Sequence, residues 1–577
     1  MYRLLKYIGD RWWAAVLGPL LAIAEVVFDV AIPYVMSLII DVGITARGGD
    51  VGYIAQMGGL MVLLSLAGGV CGALSGWLSS IASARFVRNI RLKMYEKMQQ
   101  FSFRNIEHFS VPSVVMRLTT DMRMMRMAVV AIIRLMIRAP FNLLFSAYMV
   151  WRLNNVLAGI FAIAIPILGT GLYIITALAH PRFVRLMAKF DDLNSDLQED
   201  IAGIRVVKTF VRQEHEKAKF KDSSRAVRAA QVYAESLIIL TQPFFELVMY
   251  ACMIAVAWFG GRFVIAGSLT TGEFVSYLAY LRAILFSLLM LSNGLMQVVM
   301  AQASVDRANA ILNEKVDITD DDADAALQLQ DGSIEFRDVS FKYESDARKM
   351  ALSDVNLRIA SGEVVGILGA TGASKTTLVQ LIPRLYDATQ GQVIVGGHDV
   401  RQYKLANLRQ QVAMVLQKNT LFSGTIEDNL KWGNPEATHQ QVVEACQCAQ
   451  AEDFIMASPK GYQTDLGQGG VNVSGGQKQR LCIARALLKK PKIIIMDDST
   501  SAVDTDTDHR IQLALKQRLS GMTTIIIAQR VASVKEADRI VIMDGGRIID
   551  QGSHAELMSR NDVYRDLYHT QMEGVAE

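Results

Sequence analysis

A chain of 577 residues, 51% of them hydrophobic and with a mean hydropathy of +0.25, is too long for one domain and too apolar for an ordinary soluble protein. A net charge of +3 is too small to argue for a nucleic-acid partner. The five cysteines (Cys71, Cys252, Cys446, Cys448, Cys482) lack disulfide or metal-ligand spacing and read as reduced thiols.

The start, with Arg3 and Lys6 among Tyr2, Leu4, Leu5 and Tyr7, has no small-residue cleavage site and suits a short interfacial helix. Apolar runs of spanning length follow at Trp12–Ile40, Ile54–Ile81, Met127–Trp151, Val156–Leu178, Leu237–Ala266 and Phe274–Met300. The segments 82–125 and 181–234 between them are rich in Lys and Arg, whereas the other links are short and nearly free of positive charge. The positive-inside rule therefore puts both long segments and both termini in the cytoplasm. Long unstructured loops are uncommon, so the spans are expected to continue as helices and turn back near Val111–Leu118 and Ala202–Phe210. Several ionisable residues lie within the spans: Glu25 and Asp29 one turn apart, Arg134 and Arg138 likewise, then Glu246 and Arg282. Either they pair with one another, or Glu25, Asp29, Glu246 and Arg282 line a wet cavity for charged cargo.

Residues 314–331 are polar and acidic and read as a flexible linker between a membrane part, 1–313, and a soluble part, 332–577. In the soluble part strand and helix patterns interleave, as in an α/β domain. Gly366–Thr377 follows a strand-like run and opens a helix expected over Leu378–Leu385, which fits a phosphate-binding loop. In that loop Gly369, Ala370, Thr371, Gly372, Ala373, Ser374 and Thr377 surround two residues with stated tasks. Lys375 reaches β/γ-phosphates and Thr376 holds Mg²⁺. Ser374 stands where the pattern asks for glycine. Lys492–Asp498 is a buried strand ending in two carboxylates. Asp497 suits the Mg²⁺ shell, and Asp498 sits where a base orients water. Val473-Ser474-Gly475-Gly476-Gln477 opens a helix whose N-terminus forms a second anion site. Gln417, at a strand end, is placed to touch metal or water, and Tyr343 to stack on adenine.

In this order and spacing the chain resembles an ATP-binding cassette (ABC) exporter half-transporter: a membrane α-helical domain of six transmembrane helices, then a cytoplasmic α/β P-loop nucleotide-binding domain. Tyr343 matches the A-loop, Gly369–Thr376 Walker A, Gln417 the Q-loop, and Thr464–Gly469 the X-loop. Val473–Gln477 matches the signature, Asp497 Walker B, Ser501–Asp504 the D-loop, and Ile525–Arg530 the switch strand. The resemblance implies ATP and Mg²⁺ as cofactors and a dimer in which each ATP lies between one chain's Walker motifs and the other's signature. Three residues depart from the family within one half-site. Asp498 replaces the catalytic glutamate, Gln529 the switch histidine, and Ser374 a glycine; the signature changes only at Val473, and the X-loop at Gln468. A shortened carboxylate misplaces the base, and glutamine cannot cycle a proton near neutral pH.

The expected protein is therefore the degenerate-site subunit of a heterodimeric multidrug-type exporter in a cytoplasmic membrane, of bacterial origin. Its partner would supply glutamate and histidine, and its cargo would be an amphipathic, cationic small molecule. A lipid or peptide exporter, or an ATP-gated regulatory membrane protein, is the alternative.

Overall fold

The computed structural model describes all residues except 1–6, 10, 11, 47, 322, 344–349, 499–506, 508, 509, 512, 515–520 and 577, with only the backbone of 572–576. The chain forms two compact units, Met1–Gln99 with Val111–Glu314, and Gln100–Ser110 with Lys315–Glu577.

The first unit is helical: α1 (Trp12–Leu38), α2 (Val51–Gln99), α4 (Val111–Val130), α5 (Met136–Leu153), α6 (Asn155–Ala202), α7 (Ile204–Thr209), α8 (Gln213–Ile238), α9 (Thr241–Ile265) and α10 (Thr271–Asn313). α3 (Phe103–Phe109) belongs to the second unit. Among the described residues, six helical stretches are long and apolar enough to cross a membrane; five contain an expected span whole, and Gln213–Ile265 ends one residue short of the expected Leu237–Ala266. The 49 residues of α2 make a rod of about 70 Å, over twice the roughly 30 Å of a hydrocarbon core. Such helices keep every backbone polar group paired while leaving the bilayer. Short π-helical stretches interrupt the regular pattern at Ile39–Ala46 and Ala131–Leu135.

The turn expected near Val111–Leu118 lies elsewhere. Ser102 and Asn105 form a reciprocal cap that starts α3, and Ser110, at φ 52°, ends it. Pro112 then sits in the first turn of α4, where the missing N–H breaks nothing. Pro112 thus helps to begin a helix. The second turn, α7, falls within the expected 202–210 and follows Gly203.

In the second unit a four-stranded antiparallel sheet runs β2-β1-β4-β5, from β1 (Ile334–Phe341), β2 (Leu352–Ile359), β4 (Gln390–Val395) and β5 (His398–Asp399). A six-stranded sheet runs β10-β9-β3-β8-β7-β6. Its strands are β3 (Val364–Leu368), β6 (Val412–Val415), β7 (Ile493–Asp497), β8 (Thr523–Ala528), β9 (Arg539–Asp544) and β10 (Arg547–Gly552), all parallel except β10. β7 and β8 are buried along their whole length, which explains their unbroken apolar runs. The helices are α11 (Lys375–Gln380), α12 (Leu405–Gln411), α13 (Ile426–Leu430), α14 (His439–Cys448), α15 (Glu452–Met456), α16 (Gly475–Leu488), and two more at His554–Arg560 and Asp562–Ala576. α11 stops short of the expected Leu385 because Pro383 disfavours helical backbone at the residue before it.

The acidic stretch after α10 is pinned to the second unit. Asp320 accepts from the Leu405 N–H at 2.9 Å, the Asp324 N–H donates to Gln402 O, and Asn407 donates to the carbonyls of Ala325 and Leu327.

One polar cluster fixes the N-terminal part of α4 against the C-terminal part of α10. Asp121, 1% exposed, accepts from Arg307 Nε at 2.7 Å and from Ser304 Oγ at 2.8 Å. Asp121→Asn should cost about 2 kcal/mol, below the roughly 3–5 of a fully buried pair, because Arg307 is 39% exposed. The double variant Asp121→Asn/Arg307→Met should cost less than the sum of the singles, measured by heating in detergent and quantifying monodisperse protein. Additive losses would show that the pair is not coupled.

Candidate nucleotide-binding and catalytic site

β3, β8, β7 and β6 end at one edge of the sheet, and the loops that follow carry the chemistry. After β3 the chain turns through Gly369–Ser374 into α11. A Cβ at Gly369 would fall 2.3 Å from Met543 O, so only glycine fits there. Ala373 N–H donates to Ala370 O and closes the turn, leaving Thr371 and Gly372 exposed at its tip. Ser374 adopts φ 67°, ψ 24°, the left-handed region. That is the physical content of the missing glycine: a side chain is held in a conformation glycine adopts freely.

Lys375, 7% exposed, donates from Nζ to Gly369 O at 2.6 Å and Ala370 O at 2.9 Å. Burial lowers its pKa, opposed by the charges of Asp498 and Asp497. Thr376 Oγ1 donates to Asp497 Oδ1 at 3.0 Å, and burial raises the pKa of Asp497, which is 2% exposed. A hydroxyl and a buried carboxylate in contact beside a buried amine fit a divalent ion and phosphate oxygens. Thr376 and Asp497 would hold Mg²⁺, with Lys375 on the phosphates.

Asp498 has φ 47°, so the chain kinks after Walker B. Its Oδ2 accepts from Gln417 Nε2 at 3.3 Å and from Gln529 Nε2 at 3.1 Å. The structure thus gathers the Q-loop, base and switch positions on one oxygen. Tyr343 shares a hydrogen bond with Thr377 Oγ1 at 2.8 Å, beside the loop. On the signature, Ser474 caps α16: its Oγ accepts from Gln477 N–H, and Gln477 Oε1 accepts from Ser474 N–H. Gly475 and Gly476 occupy the first turn, and Val473 packs on the core. Ser501 and Asp504 lie outside the described residues.

Two residues of the site had no sequence signal. Gln571, in the helix Asp562–Ala576, grips both flanks of the switch: its Nε2 donates to Gln529 O at 3.1 Å and its Oε1 accepts from Val531 N–H at 2.8 Å. Tyr386 stacks edge-on to Tyr343, with centroids 5.3 Å apart, and its hydroxyl donates to Glu107 on α3 at 3.0 Å. Phe103 of α3 also meets Tyr386, at 6.2 Å. A glutamine on a late helix and a tyrosine after an apolar run gain meaning only through tertiary contact.

In the membrane unit Glu25 and Asp29 are paired. Arg138 bridges them, Nη1 to Glu25 Oε1 at 3.1 Å and Nη2 to Asp29 Oδ2 at 3.0 Å. Of the two expected readings, pairing and cargo contact, the geometry gives pairing through Arg138, with Glu25 Oε2 left over. Glu246 is exposed and bonds Gln242, and Arg282 is exposed; neither joins the cluster.

Two profiles match the chain: "ABC transporter transmembrane region" over residues 15–289 and "ABC transporter" over 352–501. The chain is 32% identical to an ATP-dependent lipid A-core flippase of Syntrophus aciditrophicus, covering 89% of this chain and 84% of that protein. It is 33% identical to a putative multidrug export ATP-binding/permease protein, YgaD, of Bacillus subtilis, covering 85% and 84%. A bacterial Atm1-family ABC exporter solved with ATP bound superposes with a TM-score of 0.82 at 25% identity, covering 98% of this chain and 99% of that one.

Two outcomes follow from the loop. Ser374→Gly should stabilise the cassette by about 1 kcal/mol and tighten ATP binding, read by thermal unfolding and nucleotide titration; a looser or unchanged cassette would mean the left-handed turn is unstrained. For Asp497 the folded pKa lies above the unfolded one, so the folded state keeps a proton the unfolded state has released. Stability therefore falls as pH climbs from about 4 through the raised value, and the penalty is complete above it. In nucleotide- and metal-free protein, Asp497→Asn should thus unfold at a higher temperature than the parent at neutral pH, with the gap closing toward about pH 4.

Proposed function

The chain belongs to the ABC transporter family, and from that premise we propose that it is the degenerate-site subunit of a heterodimeric exporter of amphipathic small molecules. Its second unit is an ABC ATPase domain, and the chain is part of an ATP-hydrolysing export machine. The observation that supports the finer assignment is Asp498 Oδ2 accepting from two glutamine amides, Gln417 and Gln529. A general base must offer a free lone pair to the water it deprotonates, within hydrogen-bond reach. Here the carboxylate is one methylene short, its Oδ2 is engaged twice, and the switch side chain cannot carry the proton onward.

Ser474, Gly475 and Gly476 keep the composition that completes a site on a second chain. The asymmetry supports a partner with an intact glutamate and histidine, to which this chain lends its signature helix. Its own half-site holds Mg-ATP through Lys375, Thr376, Asp497 and Tyr343 and turns it over slowly. ATP binding closes the cassettes on each other and switches an inward-facing cavity outward, with hydrolysis at the competent site as the reset. Both termini and the cassette lie on the cytoplasmic side. The boundaries 1–313, 314–331 and 332–577 separate membrane part, linker and cassette. A lipid cargo is the second candidate, favoured by the lipid A-core flippase among the relatives.

The chain alone in nanodiscs is expected to hydrolyse ATP at least tenfold more slowly than the complex with its partner. Within the complex, Ser474→Ala should cut turnover by about 10²-fold, the size of one lost anion-site donor, while Asp498→Ala should change it less than threefold. Fast turnover by the chain alone, or equal damage from both substitutions, would mean that this half-site is catalytically competent.

A further inference from the structure

We propose that Arg134 is the anchor for an anionic headgroup, so that the exported amphiphile carries a negative charge. This deepens the exporter assignment above and rests on it. Arg134 lies in the π-helical turn Ala131–Leu135, a distortion that often marks functional positions. Eight residues into the expected third span, it sits about 10 Å below the start of that span. Helices α1, α2, α4, α5 and α10 pack around the turn. Within the spans those helices carry four other charged residues, Glu25, Asp29, Arg138 and Arg282. Arg138 is committed to both acids, and Arg282 is exposed on α10. Arg134 is half-buried and makes no hydrogen bond or ion pair among the described residues.

The neighbouring helix has room for it. Along α2, Gly68, Gly72 and Gly76 recur every fourth residue and so share a face. A Cβ at Gly68 would meet Asp29 Oδ1 at 3.6 Å, one at Gly72 would meet Glu25 Oε1 at 2.7 Å, and one at Gly76 would meet Arg134 Nη1 at 3.3 Å. Three charged side chains thus lie against one glycine face of α2, which is closest at Gly72 and tight at Gly76. Two of them are matched by Arg138, and the third, a guanidinium, is not. One turn along, Glu25 Oε2 is buried without a partner. The combination suits a headgroup with an anion for Arg134 and an adjacent hydroxyl or ammonium donor for Glu25. A planar guanidinium favours carboxylate or phosphate, which it binds through two parallel hydrogen bonds. A charge left unmatched at membrane depth faces a wet cavity or a ligand.

The test uses the full-length chain, purified with its accompanying subunit into nanodiscs of neutral lipid. Equilibrium binding is measured for a fluorescent lysophosphatidate and for the matching monoacylglycerol, which lacks the phosphate. The parent should prefer lysophosphatidate by at least tenfold. Excess inorganic phosphate should not displace it, because the acyl chain contributes; displacement by phosphate would assign a site for free anions and overturn the cargo claim. Arg134→Gln should weaken lysophosphatidate about tenfold and monoacylglycerol less than twofold. Arg134→Lys, which keeps the charge but loses the paired hydrogen bonds, should fall between the parent and Arg134→Gln. Gly76→Leu, which crowds that face without changing charge, should mimic Arg134→Gln. Equal affinity of the parent for both probes, or equal losses for both in Arg134→Gln, would overturn the proposal. If Arg134→Gln fails to fold, the parent's preference and the Gly76→Leu result decide the matter. ATP-dependent transport is followed separately. Its absence with headgroup binding intact would count against the exporter assignment alone, whereas transport that persists with no charge preference would count against Arg134 alone.

Discussion

β3, β8, β7 and β6 run parallel and in register, and the nucleotide site depends on that pairing more than on any single residue. Leu368 pairs with Ala528, and Asp497 with Ile527, so the Walker loop, the two carboxylates and the switch leave the sheet at one edge. Parallel strands need both faces covered, and the cassette meets that need with two apolar cores. The polar atoms at the edge have low-dielectric walls behind them. That is why Asp497 resists ionisation and Lys375 resists protonation, and why both have much to gain from a nucleotide and its ion.

The membrane unit answers a different constraint. A charge in a span is costly unless it is paired, and close pairing needs helices that approach closely. The glycines of α2 supply that approach, and Ser75 adds a hydrogen bond to Gly18 O of α1 at 2.8 Å. At the other end, Asp41 accepts from Thr270 Oγ1 at 2.6 Å and Gly272 N–H at 2.7 Å, at the N-terminus of α10. There a carboxylate meets the positive end of a helix dipole. Small residues and end-capping acids, not hydrophobic contrast, hold these spans together.

Six spans and the Walker, signature and switch motifs were legible in the sequence because each rests on local pattern: apolar length, glycine spacing, an apolar strand ending in acids. Three features were not. The turn expected at Val111–Leu118 falls earlier, because whether Pro112 ends or begins a helix depends on the cap before it, here Ser102 with Asn105 and then Ser110. The acidic linker looked free, because the N–H and amide donors that hold its aspartates and carbonyls come from Leu405 and Asn407, some 80 residues on. For Glu25 and Asp29 pairing and cargo contact stayed equally open, because their partner Arg138 lies more than 100 residues away. In the last two cases the missing information was a long-range contact.

Tyr386 shows how the site reaches beyond itself. Tyr343 touches both Thr377 at the loop and the edge of Tyr386, and Tyr386 bonds Glu107 of α3. α3 packs with the cassette, yet it is joined in sequence to α2 through Gln100–Ser102 and to α4 through Ser110 alone. Connections that short have almost no slack, since an extended residue spans at most about 3.6 Å. A change in packing at Tyr343 therefore reaches the ends of α2 and α4 through two aromatic rings, one hydrogen bond and a taut chain. α2 is also the helix whose glycines face Glu25, Asp29 and Arg134. One continuous rod thus carries the cassette's linkage at its C-terminal end and the intramembrane charges nearer its middle.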